Sequence, residues 1–142
     1  HSYNHNYDEL YADGESFMTQ INKTNELIEQ ITCDNYYPKI MRFPGGGYNA
    51  GSKGEAKQRY KQLLQESGYR YCDWNSLTGD AEKKNPDADY LMANLKKSTK
   101  DKEDVVILMH DAIAKKVTAQ TLPQIIEYLI GQGYEFDTLD NV

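Results

Sequence analysis

The chain has 142 residues, of which 39% are hydrophobic and 27% charged, with a formal net charge of −6. That is the length of one ordinary domain, long enough to bury a core, with the slightly polar composition of a soluble globular protein. A negative chain whose lysines are scattered lacks the basic face that phosphate backbones demand, and no apolar run approaches a membrane-spanning length.

His1 and His5 open the chain, four residues apart. On a strand two such rings would sit roughly 13 Å apart. A helical turn or tight loop would bring them to one side, close enough to share a metal ion. The spacing alone is weak evidence. From about Gly14 to Ile31, Phe17, Ile21, Ile28 and Ile31 recur near helical spacing. Lys39 to Phe43 reads as a strand closed by Pro44 and three glycines. A helix follows from about Lys53 to Ser67, with Ala56, Tyr60, Leu63 and Leu64 inward and Gly68 as its terminator.

Tyr69 to Asp73 is a second strand, and Asn75 to Pro86 a polar loop. A helix over about Asp87 to Ser98 turns Tyr90, Leu91 and Leu95 inward. Val105 to Met109 is an unbroken apolar run, which predicts a strand buried on both faces. The last helix is expected from about Thr121, with Pro123 in its first turn and Leu122, Ile125, Ile126, Leu129 and Ile130 as its apolar residues. Gly131 or Gly133 ends it, and Tyr134 to Phe136 can add a short strand. Helices alternating with strands mark an α/β fold with parallel pairing.

Cys33 and Cys72 are the only cysteines and form no Cys-x-x-Cys pair. That excludes a zinc knuckle or thioredoxin-like site and leaves free thiols, the favoured state, or one bridge. Twelve tyrosines suit both core packing and a sugar-binding surface.

Arg42, Asp73 and His110 each stand at the C-terminal end of an expected strand, the edge that hosts chemistry in barrel-like α/β folds. His110 is a candidate general acid, since imidazole titrates near working pH. Asp73 or Asp80 can orient it and keep it protonated, although most such aspartates make local turn bonds. Arg42 can hold a carboxylate in its planar fork, or make a plain salt bridge before a turn. Gly45, Gly46 and Gly47 allow close approach of a ligand to the backbone, and a free N–H there can hold an oxyanion. The Gly-Lys-Ser/Thr of a phosphate-binding loop is missing. Trp74 packs in a core or walls a pocket.

Taken together, His-Ser-x-x-His at the start, Arg42-Phe43-Pro44, Asp73-Trp74-Asn75 with a following Asp80, and Leu108-Met109-His110 resemble one family along essentially the whole chain. That family is the polysaccharide deacetylases with the NodB homology domain, carbohydrate esterase family four, and the resemblance is strongest to bacterial peptidoglycan deacetylases. It implies a distorted (β/α) barrel, a divalent metal cofactor, zinc first, and an N-acetylated glycan substrate such as peptidoglycan or chitin-like N-acetylglucosamine. It implies His1 and His5 as metal ligands and Arg42 as the residue steadying the catalytic base. It implies the Gly45 N–H at the oxyanion, where relatives often carry Tyr. Asp80 would pair with the acid His110, Asp73 being second choice. Leu108 would line the acetyl pocket, with Trp74 and Tyr48 in the groove.

The family's first motif, an aspartate pair supplying the base and the third ligand, has no counterpart in residues 1–142. The expectation is therefore the C-terminal part of a single domain, inactive alone, completed by a segment in cis or from another chain, with oligomerisation or strand exchange as a consequence. Site of action would be the bacterial cell surface or exterior, with any anchor upstream. An inactive glycan-binding relative and an acetylxylan esterase are the alternatives.

Overall fold

In the computed structural model, which describes residues 1–33, 37–47 and 54–141, the chain divides into two units, residues 1–73 and 74–141. The first begins with a short helix α1 (Tyr7–Leu10), whose N-cap Asn6 accepts the N–H groups of Asp8 and Glu9. Asp13 opens α2 (Gly14–Thr32) by accepting the Ser16 N–H at 2.7 Å, so one otherwise unmatched donor of the first turn is satisfied. The helix closes on Cys33 in the left-handed region. Strand β1 (Ile40–Met41), helix α3 (Gly54–Glu66) and strand β2 (Arg70–Tyr71) follow. Gly68, with φ of 74°, turns the chain out of α3.

β1 and β2 pair in parallel, Ile40 opposite Arg70 and Met41 opposite Tyr71. Both helices cover this pair through a stack of rings. Phe17 lies 4.6 Å from Tyr60 and 5.7 Å from Phe43 between centroids, and Tyr11 lies 6.1 Å from Tyr60. Each such pair adds about 0.5–1.5 kcal/mol beyond burial. The Tyr11 hydroxyl donates to the Pro44 carbonyl, and burial pushes its ionisation well above the usual phenol range. Ile31 falls on the same helical face by spacing, yet is 72% exposed because the last turn of α2 runs beyond the ring stack.

The second unit contains β3 (Ser76–Leu77), α4 (Ala88–Thr99), β4 (Ile107–Leu108), α5 (Lys116–Gly131) and a 3₁₀ turn (Leu139–Asn141). Asp87 caps α4 by accepting the Tyr90 N–H. β3 and β4 pair in parallel, Ser76 opposite Ile107 and Leu77 opposite Leu108. Leu95, Met92, Ile125 and Leu129 form the core between the two helices.

Four sequence expectations are corrected in this unit. β3 lies inside the stretch expected to be loop. Its one buried residue is polar, Ser76 donating to the Ser98 carbonyl rather than meeting an apolar face, so no apolar period announces it. Residues 105–109 are half-buried, since among the described residues β4 has a partner on one edge only. Helix α5 starts five residues early. Thr118 and Thr121 continue the inner face of Ile125 and Leu129, and their hydroxyls mask the apolar period. Pro123 therefore sits inside the helix, where it forfeits one ladder bond, and Leu122, Ile126 and Ile130 are exposed. Residues 134–136 form no strand; the Tyr134 hydroxyl instead ties this segment to the Thr99 and Lys102 carbonyls. Both cysteines are free thiols, Cys33 exposed and Cys72 half-buried.

Candidate active site

The segment His1–Asn6 coils tightly, with Ser2 at φ 67° and His5 at φ 56°. The Ser2 hydroxyl accepts the His5 N–H, and Gln20 from α2 accepts the N–H groups of Tyr3 and Asn4. The coil brings the two imidazoles to 5.1 Å between centroids, both on the surface. His1 Nδ1 lies 2.6 Å from the Arg42 carbonyl oxygen. A carbonyl only accepts, so Nδ1 carries the proton and Nε2 keeps its lone pair outward. That is how metal-binding histidines are commonly oriented from behind. The pair supplies two donors of the type zinc prefers, and among the described residues no third His, Cys, Asp or Glu joins them.

Phe43, Pro44, Gly45 and Gly46 make a tight turn closed by the Gly46 N–H on the Phe43 carbonyl at 2.8 Å. Pro at its second position and Gly45 at φ 73° in its third are the type II pattern. The Gly45 N–H is not consumed by this turn, and Gly45 is exposed. A Cβ there would stand 2.9 Å from the Tyr7 hydroxyl oxygen and 3.8 Å from Lys57 Nζ. The next residue but one explains Asp73. Its carboxylate accepts the Gly47 N–H at 2.8 Å, and a Cβ on Gly47 would strike it at 2.6 Å.

In the second unit, parallel pairing carries residues beyond Leu77 and Leu108 to one end. Gly79, at φ 72°, turns the chain so that Asp80 is 1% exposed. Asp80 Oδ1 accepts from His110 Nδ1 at 2.8 Å, and Oδ2 accepts the His110 backbone N–H at 2.9 Å and the Thr118 hydroxyl at 3.1 Å. Burial pushes the Asp80 carboxyl up. The bonds from the His110 ring and backbone, the imidazole charge and Thr118 outweigh it and hold the carboxyl below its usual range. His110 keeps a third of its side chain exposed. The Asp80 bond occupies Nδ1, so Nε2 is the nitrogen offered to a reactant.

Leu108 lies in β4 half-buried, and Trp74 is half-buried just before β3. Tyr48 lies outside the described residues. Thr118 and Lys115, which bonds the Asp80 carbonyl, escaped the sequence reading. Neither had a local signal, since both meet Asp80 only through the placement of α5. Lys57 escaped it too. It lies on α3 with 4% exposure, its ammonium over the Tyr11 ring at 5.7 Å from the centroid.

No family model matches the chain. It is 31% identical over 123 residues to the peptidoglycan-N-acetylglucosamine deacetylase PgdA of Listeria monocytogenes, covering 87% of this chain and 22% of that protein. The catalytic domain of a peptidoglycan N-acetylglucosamine deacetylase from Eubacterium rectale superimposes with a TM-score of 0.87 at 28% identity, over 98% of this chain and 63% of that one. A CE4 esterase from Streptococcus mutans gives 0.80 at 28% identity, over 96% and 60%. The chain thus spans about a fifth of the curated relative and about three fifths of the solved domains. Shared fold and sequence along nearly its whole length make this chain a member of the polysaccharide deacetylases of NodB type, carbohydrate esterase family four, of whose domain it represents a part.

Proposed function

We propose that the protein hydrolyses N-acetyl groups of a cell-wall polysaccharide, with peptidoglycan N-acetylglucosamine as substrate class, releasing acetate and leaving a free amino sugar. The Asp80–His110 pair carries this reading. Amide hydrolysis breaks a C–N bond whose nitrogen leaves only if it gains a proton. An imidazole held through Nδ1 by a buried carboxylate is fixed in orientation, with Nε2 the atom that delivers that proton. His1 and His5, with a carboxylate of the family's first motif, would hold a divalent ion, zinc first, which when bound polarises the acetamide carbonyl and acidifies the attacking water. The Gly45 N–H receives the oxyanion, and Leu108 lies against the acetyl methyl. Trp74 walls the glycan groove, and Arg42, whose carbonyl already orients His1, steadies the base carboxylate.

The rest of the family domain, in cis or from another chain, is the partner this reading requires. The polymer places the reaction outside the cytoplasmic membrane. No described helix is long and apolar enough to cross a membrane. In the intact protein, His110→Ala should lower acetate release from chitooligosaccharide or peptidoglycan about 10²–10⁴-fold with metal content intact. Unchanged turnover would reject the role. Faster release from acetylated xylan than from either amide substrate would move the reading to an esterase.

A further inference from the structure

Lys57 belongs to no step above. Burying an ammonium costs free energy unless something compensates. Here compensation is thin: the Tyr11 ring at 5.7 Å, and the Asp73 carboxylate, whose Oδ1 already accepts the Gly47 N–H. Among the described residues the Lys57 ammonium meets no protein hydrogen-bond acceptor but keeps an edge to water, and Lys61 adds a like charge from the same helix. Burial accordingly pulls the Lys57 pKa down, with Asp73 opposing.

The ammonium does not point at random. It lies within 3.8 Å of the point where a Gly45 side chain would begin, and the Tyr7 hydroxyl lies within 2.9 Å of the same point. Tyr7 is exposed, and its hydroxyl also has no hydrogen-bond partner among the described residues. Its ring lies 5.3 Å from His5. Two donors without a protein acceptor among the described residues, one cationic and both open to water, thus flank an exposed glycine beside the imidazole pair. A neutral sugar hydroxyl would leave the charge unmatched, whereas a carboxylate satisfies both donors.

We propose that Lys57 and Tyr7 form a carboxylate-binding subsite at the Gly45 turn. Its ligand class rests on the deacetylase reading: the acidic lactyl group on alternate sugars of peptidoglycan, next to the sugar that loses its acetyl group. Product acetate carries the same chemistry and is the other source.

The test compares kcat/KM of the intact protein on an oligomer containing N-acetylmuramic acid and on an N-acetylglucosamine oligomer of equal length. The acidic oligomer should be preferred. Lys57→Met should cut the preference about ten-fold through KM, and Tyr7→Phe, which keeps the ring packing, should cut it several-fold. Relief of acetate inhibition in the same variants, without a change in preference, assigns the subsite to product. A preference and an acetate inhibition both unmoved in Tyr7→Phe and Lys57→Met overturn the proposal. Should the unmodified protein turn over neither oligomer, the deacetylase reading fails on its own. NMR titration with N-acetylmuramic acid against N-acetylglucosamine then decides the subsite: shifts at Tyr7 and Lys57 with the acid alone support it, and equal or absent shifts sink it.

Discussion

Asp80 shows how much one residue can organise. It is nearly inaccessible to water, yet three donors from two residues converge on its carboxylate. Asp80→Asn keeps the shape but replaces one acceptor oxygen by a donor, which then faces N–H or O–H groups. The expected loss is about 2–4 kcal/mol at pH 7 in urea unfolding. The pH dependence has a definite sign. A carboxyl whose folded pKa lies below its unfolded value near 3.9 stabilises above that value. The contribution fades as pH falls through the folded value. The stability gap between the parent and Asp80→Asn should therefore be full at neutral pH and narrow below about pH 4; a gap that widens on acidification contradicts the assignment. At this scale the sequence is partly legible. Asp80 and His110 were nameable from their motifs, whereas Thr118 and Lys57 were not. A buried threonine on a helix and a buried lysine look like any others until their neighbours are known.

Among the elements, β3 depends on α4 in a way its own residues do not advertise. In a parallel pair alternate residues bond alternate edges, so Ser76 and Thr78 donate to β4 while Leu77 faces the other way. The Ser98 hydroxyl fills that side, accepting the Leu77 N–H at 3.1 Å and lying 2.9 Å from its carbonyl. Ser98→Ala leaves both groups of Leu77 without these bonds, and the expected cost is about 1–2 kcal/mol, read as a lower urea midpoint with an unchanged slope. Because β3 leads directly to Asp80, the same variant should speed amide exchange at Thr78. The end of α3 was legible for the opposite reason. Gly68 acts within one turn of its own position, so sequence distance and spatial distance agree. α5 was misread at its start because tertiary burial of Thr118 and Thr121 overrode apolar periodicity.

Across the whole molecule, a net charge of −6 coexists with apolar groups left in water. Leu122, Ile126 and Ile130 recur every fourth residue along α5 and are 39%, 37% and 59% exposed. Such a stripe, near a strand with one unpartnered edge among the described residues, favours association. A polypeptide of these 142 residues alone should self-associate with rising concentration in sedimentation velocity, and Ile126→Glu should shift it towards monomer. A parent that stays monomeric throughout the range contradicts this expectation.

Helices α2, α3 and α4, strands β1, β2 and β4, the Gly68 terminator, the spacing of His1 and His5 and the placement of Arg42, Asp73 and His110 at strand ends all follow from residue order, because each depends on neighbours within a few positions. Tertiary structure alone decided that the His1 ring meets the Arg42 carbonyl forty-one residues away, that Asp80 grips His110 across thirty, and that Lys57 is shut in beside Gly45. Those contacts depend on strand register and helix packing, which sum small preferences over the whole chain and leave no local trace in it.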